Sequence, residues 1–358
     1  MGNKQLTHHN HYVPRFYLRR WSSNGNSIWD YRVIVEDEHA KCWKTTSLKS
    51  AATWDDLYTQ HVDDEDDDSV EDYLCDHFET PTSRVLEKID GGRALSARDF
   101  MILADYWLIQ YLRTPAFMMQ NVRLTESLFD SVVNNTVESV SKQLMDKDER
   151  QHMRRVANKT VRNPFPQHPI EVELNRESRE ITVRTSIGRS GYLATINSML
   201  NGMVGNHVRS CNWSIVHAPV GSHFYTSDNP SVVFGLRADG SVAVGDMGLG
   251  QHNADLVLPL DAQKVLFAQV GSSSLACPPV FSKRQVNVIN EAICKSAFRH
   301  IYSRKKDNLV CRIRPRAVDG GLVRDERNLR KSWNQDQAKL EREHEEWLNM
   351  NARTKGLL

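Results

Sequence analysis

Near the start of the chain, His8, His9 and His11 precede Tyr12-Val13-Pro14-Arg15-Phe16-Tyr17-Leu18-Arg19-Arg20-Trp21, the densest run of chemically able side chains in the sequence. In an extended segment alternate residues share a face, so His9 and His11 can present two imidazoles to one divalent metal ion or one phosphate. Neutral imidazole suits zinc, nickel or iron, with a carboxylate or water completing the shell. A frayed terminus that merely carries histidines is the bland alternative. A second run, His223-Phe224-Tyr225-Thr226-Ser227-Asp228-Asn229-Pro230, ends a strand in small polar turn formers. Asp228 suits a general base or metal ligand there, and Ser227 a donor to an anion; a plain Asx-turn is the competing account.

Other motif-like strings fail for want of partners. Ser139-x-x-Lys142 with Ser227-Asp228-Asn229 has the first two parts of a serine acyl-transferase set, but no Lys-Thr-Gly follows. Gly245-Asp246-Met247-Gly248-Leu249-Gly250 lacks both a following Lys-Ser/Thr and a strand-to-helix setting, so it is neither a P-loop nor a dinucleotide fingerprint. His11-Tyr12-Val13-Pro14 is like the first half of an HNH nuclease motif, but the gap from Asn26 to His39 is too long for the rest.

These groups need elements to position them. Pro14 fits the first position of a short helix. The acidic run Asp63 to Asp68 reads as a solvated loop leading into a capping-box-like Ser69-Val70-Glu71-Asp72 and a helix ending at Gly91-Gly92. From Ser96, Phe100, Leu103, Ala104, Trp107, Leu108 and Tyr111 recur at helical spacing up to a stop or kink at Pro115. Helical periodicity continues from Phe117 to about Arg162, where Asn163-Pro164-Phe165-Pro166 breaks it. Residues 170–187 alternate as a β-hairpin. A helix over about 189–209 follows, and then short strands at Trp213–His217, Phe224–Thr226, Ser231–Phe234, Leu256–Leu258 and Val265–Ala268. Ser282 to Tyr302 returns to helix, and Leu309 to Ile313 suits a closing strand. The expected fold is α+β, a helical N-terminal half packed with a mostly antiparallel sheet in the C-terminal half. Expected regions are 1–162, 163–315 and a polar tail, 316–358. In that tail Trp333, Leu340 and Trp347 mark an amphipathic helix that docks on its own chain or makes a homo-oligomer contact.

The 358 residues suffice for one large domain or two. With 46 Lys plus Arg against 45 Asp plus Glu, no bulk electrostatic force favours nucleic acid or an acidic membrane. Charge is nevertheless segregated, residues 36–100 being mainly acidic and 299–331 mainly basic. That basic segment, with Arg15, Arg19 and Arg20, offers nucleic acid a local path. The longest dense apolar stretch, Tyr106 to Leu112, is too short for a membrane span. The start lacks a secretory h-region, so a soluble cytoplasmic protein is expected, without a membrane partner. The 6 cysteines are too widely spaced for a local metal knuckle or redox pair and read as reduced thiols.

His11-Tyr12-Val13-Pro14-Arg15-Phe16-Tyr17-Leu18-Arg19, Gln110-Tyr111-Leu112-Arg113-Thr114-Pro115, Phe224 to Pro230 and Leu258-Pro259-Leu260 occur in that order. Together they resemble the largely bacterial family of proteins of unknown function DUF4238, with His8 and the tail beyond residue 315 outside the motif set. The resemblance implies a bacterial setting, sometimes among phage-defence genes, and no established reaction. If the fold converges them, His11, Arg113 and Asp228 form the catalytic set of a metal-dependent phosphodiester hydrolase, nuclease-like in kind. Arg113 would hold a phosphate, His9 and His11 a divalent metal ion, and Asp228 would orient water. Tyr17, Arg19, Ser227 and Asn229 are the expected substrate contacts, and nucleic acid or a phage component the expected partner. The alternative is a non-catalytic sensor or interaction protein in which the same groups form a buried polar network locking the N-terminal segment onto the sheet. Exposure separates the two, since a hydrolase needs these groups around an open cleft.

Overall fold

A computed structural model describes residues 6, 8–62, 65–123, 164–166, 170–175, 180–185, 188–245, 247–272 and 278–354. The chain opens with strands. β1 (His9–His11) and a short helix α1 (Arg15–Leu18) are followed by β2 (Ser27–Arg32), β3 (Ile34–Val35), β4 (Trp43–Ser47), β5 (Thr53–Asp55), β6 (Gln60–Val62) and β7 (Glu65–Asp67). The expected division into a helical N-terminal half and a sheet-bearing C-terminal half is therefore corrected: helices and several antiparallel sheets are spread along the whole chain. The reason is tertiary. β2 is a six-residue strand whose partners are β4 and the distant β16 (His300–Ser303), Asp30 facing Lys44 on one side and Tyr302 on the other. So short an alternation carries little signal until its neighbours cover it.

The acidic run is corrected in part, because Glu65–Asp67 pairs with Gln60–Val62 as a hairpin. The helix after it begins as α2 (Ser69–Leu74), passes through a π-helical turn at Cys75–Glu79 and continues as α3 (Thr80–Asp90) to Gly91. The expected capping box does not form; the Asp67 carboxylate accepts from both the Ser69 amide and its hydroxyl at 2.8 Å. A capping box does form at the next helix, α4 (Ala97–Leu112), between Ser96 and Asp99. Leu103, Trp107, Leu108 and Leu112 on α4 are wholly buried, and helix resumes over 115–123 after the break at Arg113-Thr114. The rest of the helix expected up to 162 lies outside the described residues.

β8 (Ile170–Asn175) and β9 (Glu180–Thr185) form the expected hairpin. The helix expected over 189–209 is two, α5 (Arg189–Asn201) and α6 (Met203–Ser210), parted at Gly202. β10 (Ser214–His217), β12 (Val232–Leu236), β13 (Val242–Val244), β14 (Asp255–Pro259) and β15 (Lys264–Gln269) make an antiparallel sheet in the order β10-β15-β14-β12-β13. Both of its faces are covered. Leu256, Leu258, Leu266 and Ala268 join the core that contains α4. The alternate residues Val257 and Val265 join Val286, Ile289 and Ile293 of α7 (Lys283–Ser296). Period-two alternation between two apolar layers explains why β14 reads as an unbroken Leu-Val-Leu.

A second sheet, in the order β11-β16-β2-β4, contains β11 (Thr226–Ser227) and so draws strands from both ends of the chain. β16 replaces the end of the helix expected up to Tyr302. α8 (Asn308–Ile313) replaces the expected closing strand, Asp307 capping it through the Leu309 amide at 2.9 Å. β17 (Ala317–Val318) pairs in parallel with β3, and α9 (Gly320–Thr354) runs to the end of the described chain. The Trp333 ring of α9 packs edge-on against Trp54 at 5.7 Å. Among the described residues no helix is long and apolar enough to cross a membrane.

Candidate functional site

β1 pairs with β5 and, as alternation requires, sets His9 and His11 on one face with their rings edge-on at 5.8 Å. His9 Nδ1 meets the Asp55 carboxylate and its Nε2 lies 3.2 Å from the Lys49 carbonyl. His11 Nε2 lies 3.2 Å from the Leu48 carbonyl. A nitrogen facing a carbonyl oxygen is there as a donor, which leaves it no lone pair for an ion. Among the described residues no group of three or more His, Cys, Asp or Glu is placed to hold a metal ion. Burial pushes the His11 imidazole down to about 4, so it is neutral at pH 7.

Directly after β1 the chain enters the core. Tyr12, Val13, Tyr17, Leu18 and Trp21 are buried, with the main-chain carbonyl of Tyr12 accepting from Gln110 Nε2 at 3.2 Å and Arg113 Nε at 3.0 Å. Arg113 is wholly buried and also donates to Glu79 Oε1 at 2.8 Å, Glu79 being the last residue of the π-helical turn. Burial works against the guanidinium charge, and Glu79 together with Tyr58, Tyr106 and Glu71 outweighs it. The carbonyls left free at the end of α4 are also met, Leu112 by the Tyr192 hydroxyl at 3.0 Å and Arg113 by the Tyr58 hydroxyl at 2.7 Å. Glu71 faces the same cation from α2; burial pushes its carboxyl up to about 7, with Arg113 opposing and Glu79 adding to the rise.

Tyr17 donates its hydroxyl to the Pro259 carbonyl at 2.7 Å and accepts from Thr226 Oγ1 at 2.8 Å. This pins the N-terminal helix to β11 and β14. Arg20 extends the attachment, with bonds to Asp90 at 2.6 and 2.7 Å, to Asp261 at 2.9 Å and to the Leu260 carbonyl at 2.6 Å. Arg19 and Arg15 are exposed.

Asp228 is wholly buried. Its Oδ1 accepts from the Phe298 amide at 2.9 Å, and its Oδ2 from the amides of Arg299 and His300 at 2.7 and 3.1 Å. Burial pushes its carboxyl up, offset in part by His300 and these three amides. Asn229 donates Nδ2 to the carbonyl and hydroxyl of Ser296 at 3.0 and 3.1 Å, satisfying the last turn of α7. Its Oδ1 accepts from Thr114 Oγ1 at 3.3 Å, joining the second and third motifs. Ser227 closes its own turn, donating to the Asn229 carbonyl at 2.9 Å and accepting from the Asn229 amide at 3.1 Å.

The fold thus gathers Arg113, Ser227, Asp228, Asn229 and Tyr17 into a largely buried polar lattice, with His9 and His11 at the two ends of β1. Several members lay beyond sequence reasoning. Glu79 gives no signal of its own inside its helix, and Glu71 reads only as part of that helix's capping-box-like start. Asp30, held below the usual carboxylate range because His300 at 2.8 Å and Thr46 at 2.8 Å outweigh its burial, pairs with a residue far along the chain. No local signal announces such a pair. The basic segment is partly neutralised, Arg299 and Arg330 both bonding Glu326.

A family model described as a protein of unknown function (DUF4238) matches residues 9–307, and the chain belongs to that family. The match spans the four motif strings and ends before α8 and α9. No curated protein and no solved structure matches the chain.

Proposed function

We propose that this DUF4238 protein is a non-catalytic sensor or interaction protein in which the shared motifs lock the N-terminal segment onto the body. One observation carries the reading: Arg113 and Asp228, the motif residues best suited to phosphate and water, are both wholly buried and directed at main-chain groups and Glu79. A buried cation and a buried carboxylate bonded to protein partners stabilise a particular arrangement of the chain, and the Arg113 nitrogen left without a partner, Nη2, is itself shut off from solvent. The exposed cations Arg15 and Arg19 are then surface for a partner, nucleic acid or a phage component among them.

The competing reading is a metal-dependent phosphodiester hydrolase built on His9, His11, Arg113 and Asp228. Two measurements separate them on protein prepared without a histidine tag. Elemental mass spectrometry of the wild type is expected to find no stoichiometric zinc, nickel, manganese or iron. Hydrolysis of bis-p-nitrophenyl phosphate with added magnesium or manganese is expected to be no faster than in a His9→Ala/His11→Ala variant of unchanged melting temperature. A bound metal lost in that folded variant, or hydrolysis lost with it, would overturn the interaction reading.

A further inference from the structure

Away from the motif lattice, the strand end that begins with His223 borders a cleft of about 440 Å³, within the range of small-ligand sites. Its walls are Ser23, Gly221, Ser222, His223, Arg304 and Lys305, over a floor of Ala262 and Gln263.

The wall that carries His223 is held from three sides. Pro219 to Ser222 form a tight turn, the Ser222 amide donating to the Pro219 carbonyl at 3.0 Å, with Gly221 at φ +83 in its third position. That is the left-handed conformation a type II turn requires there and glycine adopts most easily. Gln263 Nε2 donates to the Ser222 carbonyl at 3.1 Å, and the Phe224 amide to the Ala262 carbonyl at 2.9 Å. Asn290 of α7 brackets the next step, donating to the His223 carbonyl at 2.8 Å and accepting from the Tyr225 amide at 3.0 Å. The opposite wall follows β16, whose Ser303 is paired with Trp29.

The charge of the cleft is one-sided. Arg304 and Lys305 are exposed, and among the described residues neither is held in an ion pair. Asp307, the carboxylate nearest them in the chain, is occupied elsewhere: its Oδ1 accepts from the Leu309 amide at 2.9 Å and its Oδ2 from the Tyr225 hydroxyl at 2.7 Å. That Oδ2 also lies 3.4 Å from His223 Nε2, which orients the imidazole without completing a hydrogen bond. Asp261, next to the floor, is matched by Arg20 and Lys264 at 2.9 and 3.0 Å. What remains to meet a ligand is two free cations, two serine hydroxyls and a fixed turn.

The geometry points to a binding site for the phosphate group of a small phosphorylated ligand, held by Arg304 and Lys305 against the Ser222-His223 wall. Unpaired guanidinium and ammonium groups provide charge-assisted hydrogen bonds to phosphate oxygens, and neutral hydroxyls complete the shell without repelling it. The volume suits a small molecule rather than a polymer. This proposal goes beyond the structural-lock reading and does not depend on it, because none of the lattice residues lines the cleft.

The test is calorimetric titration of the full chain with inorganic pyrophosphate, alongside an Arg304→Ala/Lys305→Ala variant and a Lys283→Ala/Arg284→Ala control at the start of α7. Saturable binding near one equivalent is expected, weakened at least about tenfold in the cleft variant, the scale of one lost charge-assisted contact, and unchanged in the control. Melting temperatures within about 2 °C of wild type keep a loss of binding distinct from a loss of fold. The proposal is overturned by no saturable heat with pyrophosphate, by equal loss in the control, or by a cleft variant that binds normally. Binding of a single-stranded oligonucleotide with no response to pyrophosphate also overturns it, in favour of a polymer surface.

Discussion

The Asp228 carboxylate accepts the Arg299 main-chain amide at 2.7 Å, and the amides on either side of Arg299 complete its shell. Three consecutive donors at the junction of α7 and β16 are thereby satisfied by one side chain at the end of the neighbouring strand β11. A residue whose type suggests an activated water thus serves to set the course of the main chain.

Asp228→Ala removes all three bonds and leaves buried amides without partners, so a loss of about 3 kcal/mol or more is expected in urea unfolding. Asp228→Asn keeps one strong acceptor and loses less. An alanine variant as stable as wild type would show that the junction does not need the carboxylate.

The Arg113–Glu79 pair is asymmetric. Arg113 is 0% exposed at its side chain, whereas Glu79 retains 19% exposure. Glu79→Ala therefore strands a buried cation and is expected to cost about 3–5 kcal/mol, more than Arg113→Met, which leaves a carboxylate that can rehydrate. Equilibrium unfolding of both variants decides the order; the reverse order would mean that Glu71 takes over as counter-ion.

Stability is expected to fall on both sides of mildly acid pH. Glu71 is raised from 4.5 to about 7 in the folded chain, so the native state binds its proton more tightly and stability drops as pH rises through that interval, by up to about 3 kcal/mol. His11 is lowered from 6.5 to about 4, so the unfolded state binds its proton more tightly and stability drops as pH falls through that interval. Glu71→Gln should stabilise the protein at pH 8 and leave it nearly unchanged at pH 4.5. Unfolding free energies measured at the two pH values test this, and an equal effect at both would count against it.

α9 is structural. Arg189 is wholly buried, and apart from the Asp56 carbonyl its hydrogen-bond partners Asn334, Gln337 and Glu341 come from α9. Truncation after Asp319 removes them and uncovers Trp54. The truncated chain is expected to melt at lower temperature, and Arg189→Met to recover part of the loss by removing the stranded charge. A truncated chain of wild-type stability would return α9 to the role of an oligomer contact.

Local pattern alone determined the elements whose signal is self-contained: the long apolar helix after Ser96, the break at Arg113-Thr114-Pro115, the 170–185 hairpin and the doubly covered strands around Leu256–Leu258. It also determined family membership, because the four motif strings keep their order. Only the tertiary structure decided what the motif residues touch. Imidazole, guanidinium and carboxylate have the same chemistry in a cleft and in a core, and whether Arg113 and Asp228 meet solvent or the carbonyl of Tyr12 and the amide of Arg299 depends on chain segments about a hundred residues or less away in sequence but fixed only by packing. The strands before Ser69 were hidden for the same reason: β2 gains its identity from β16, and no local spacing reports a partner at the other end of the chain.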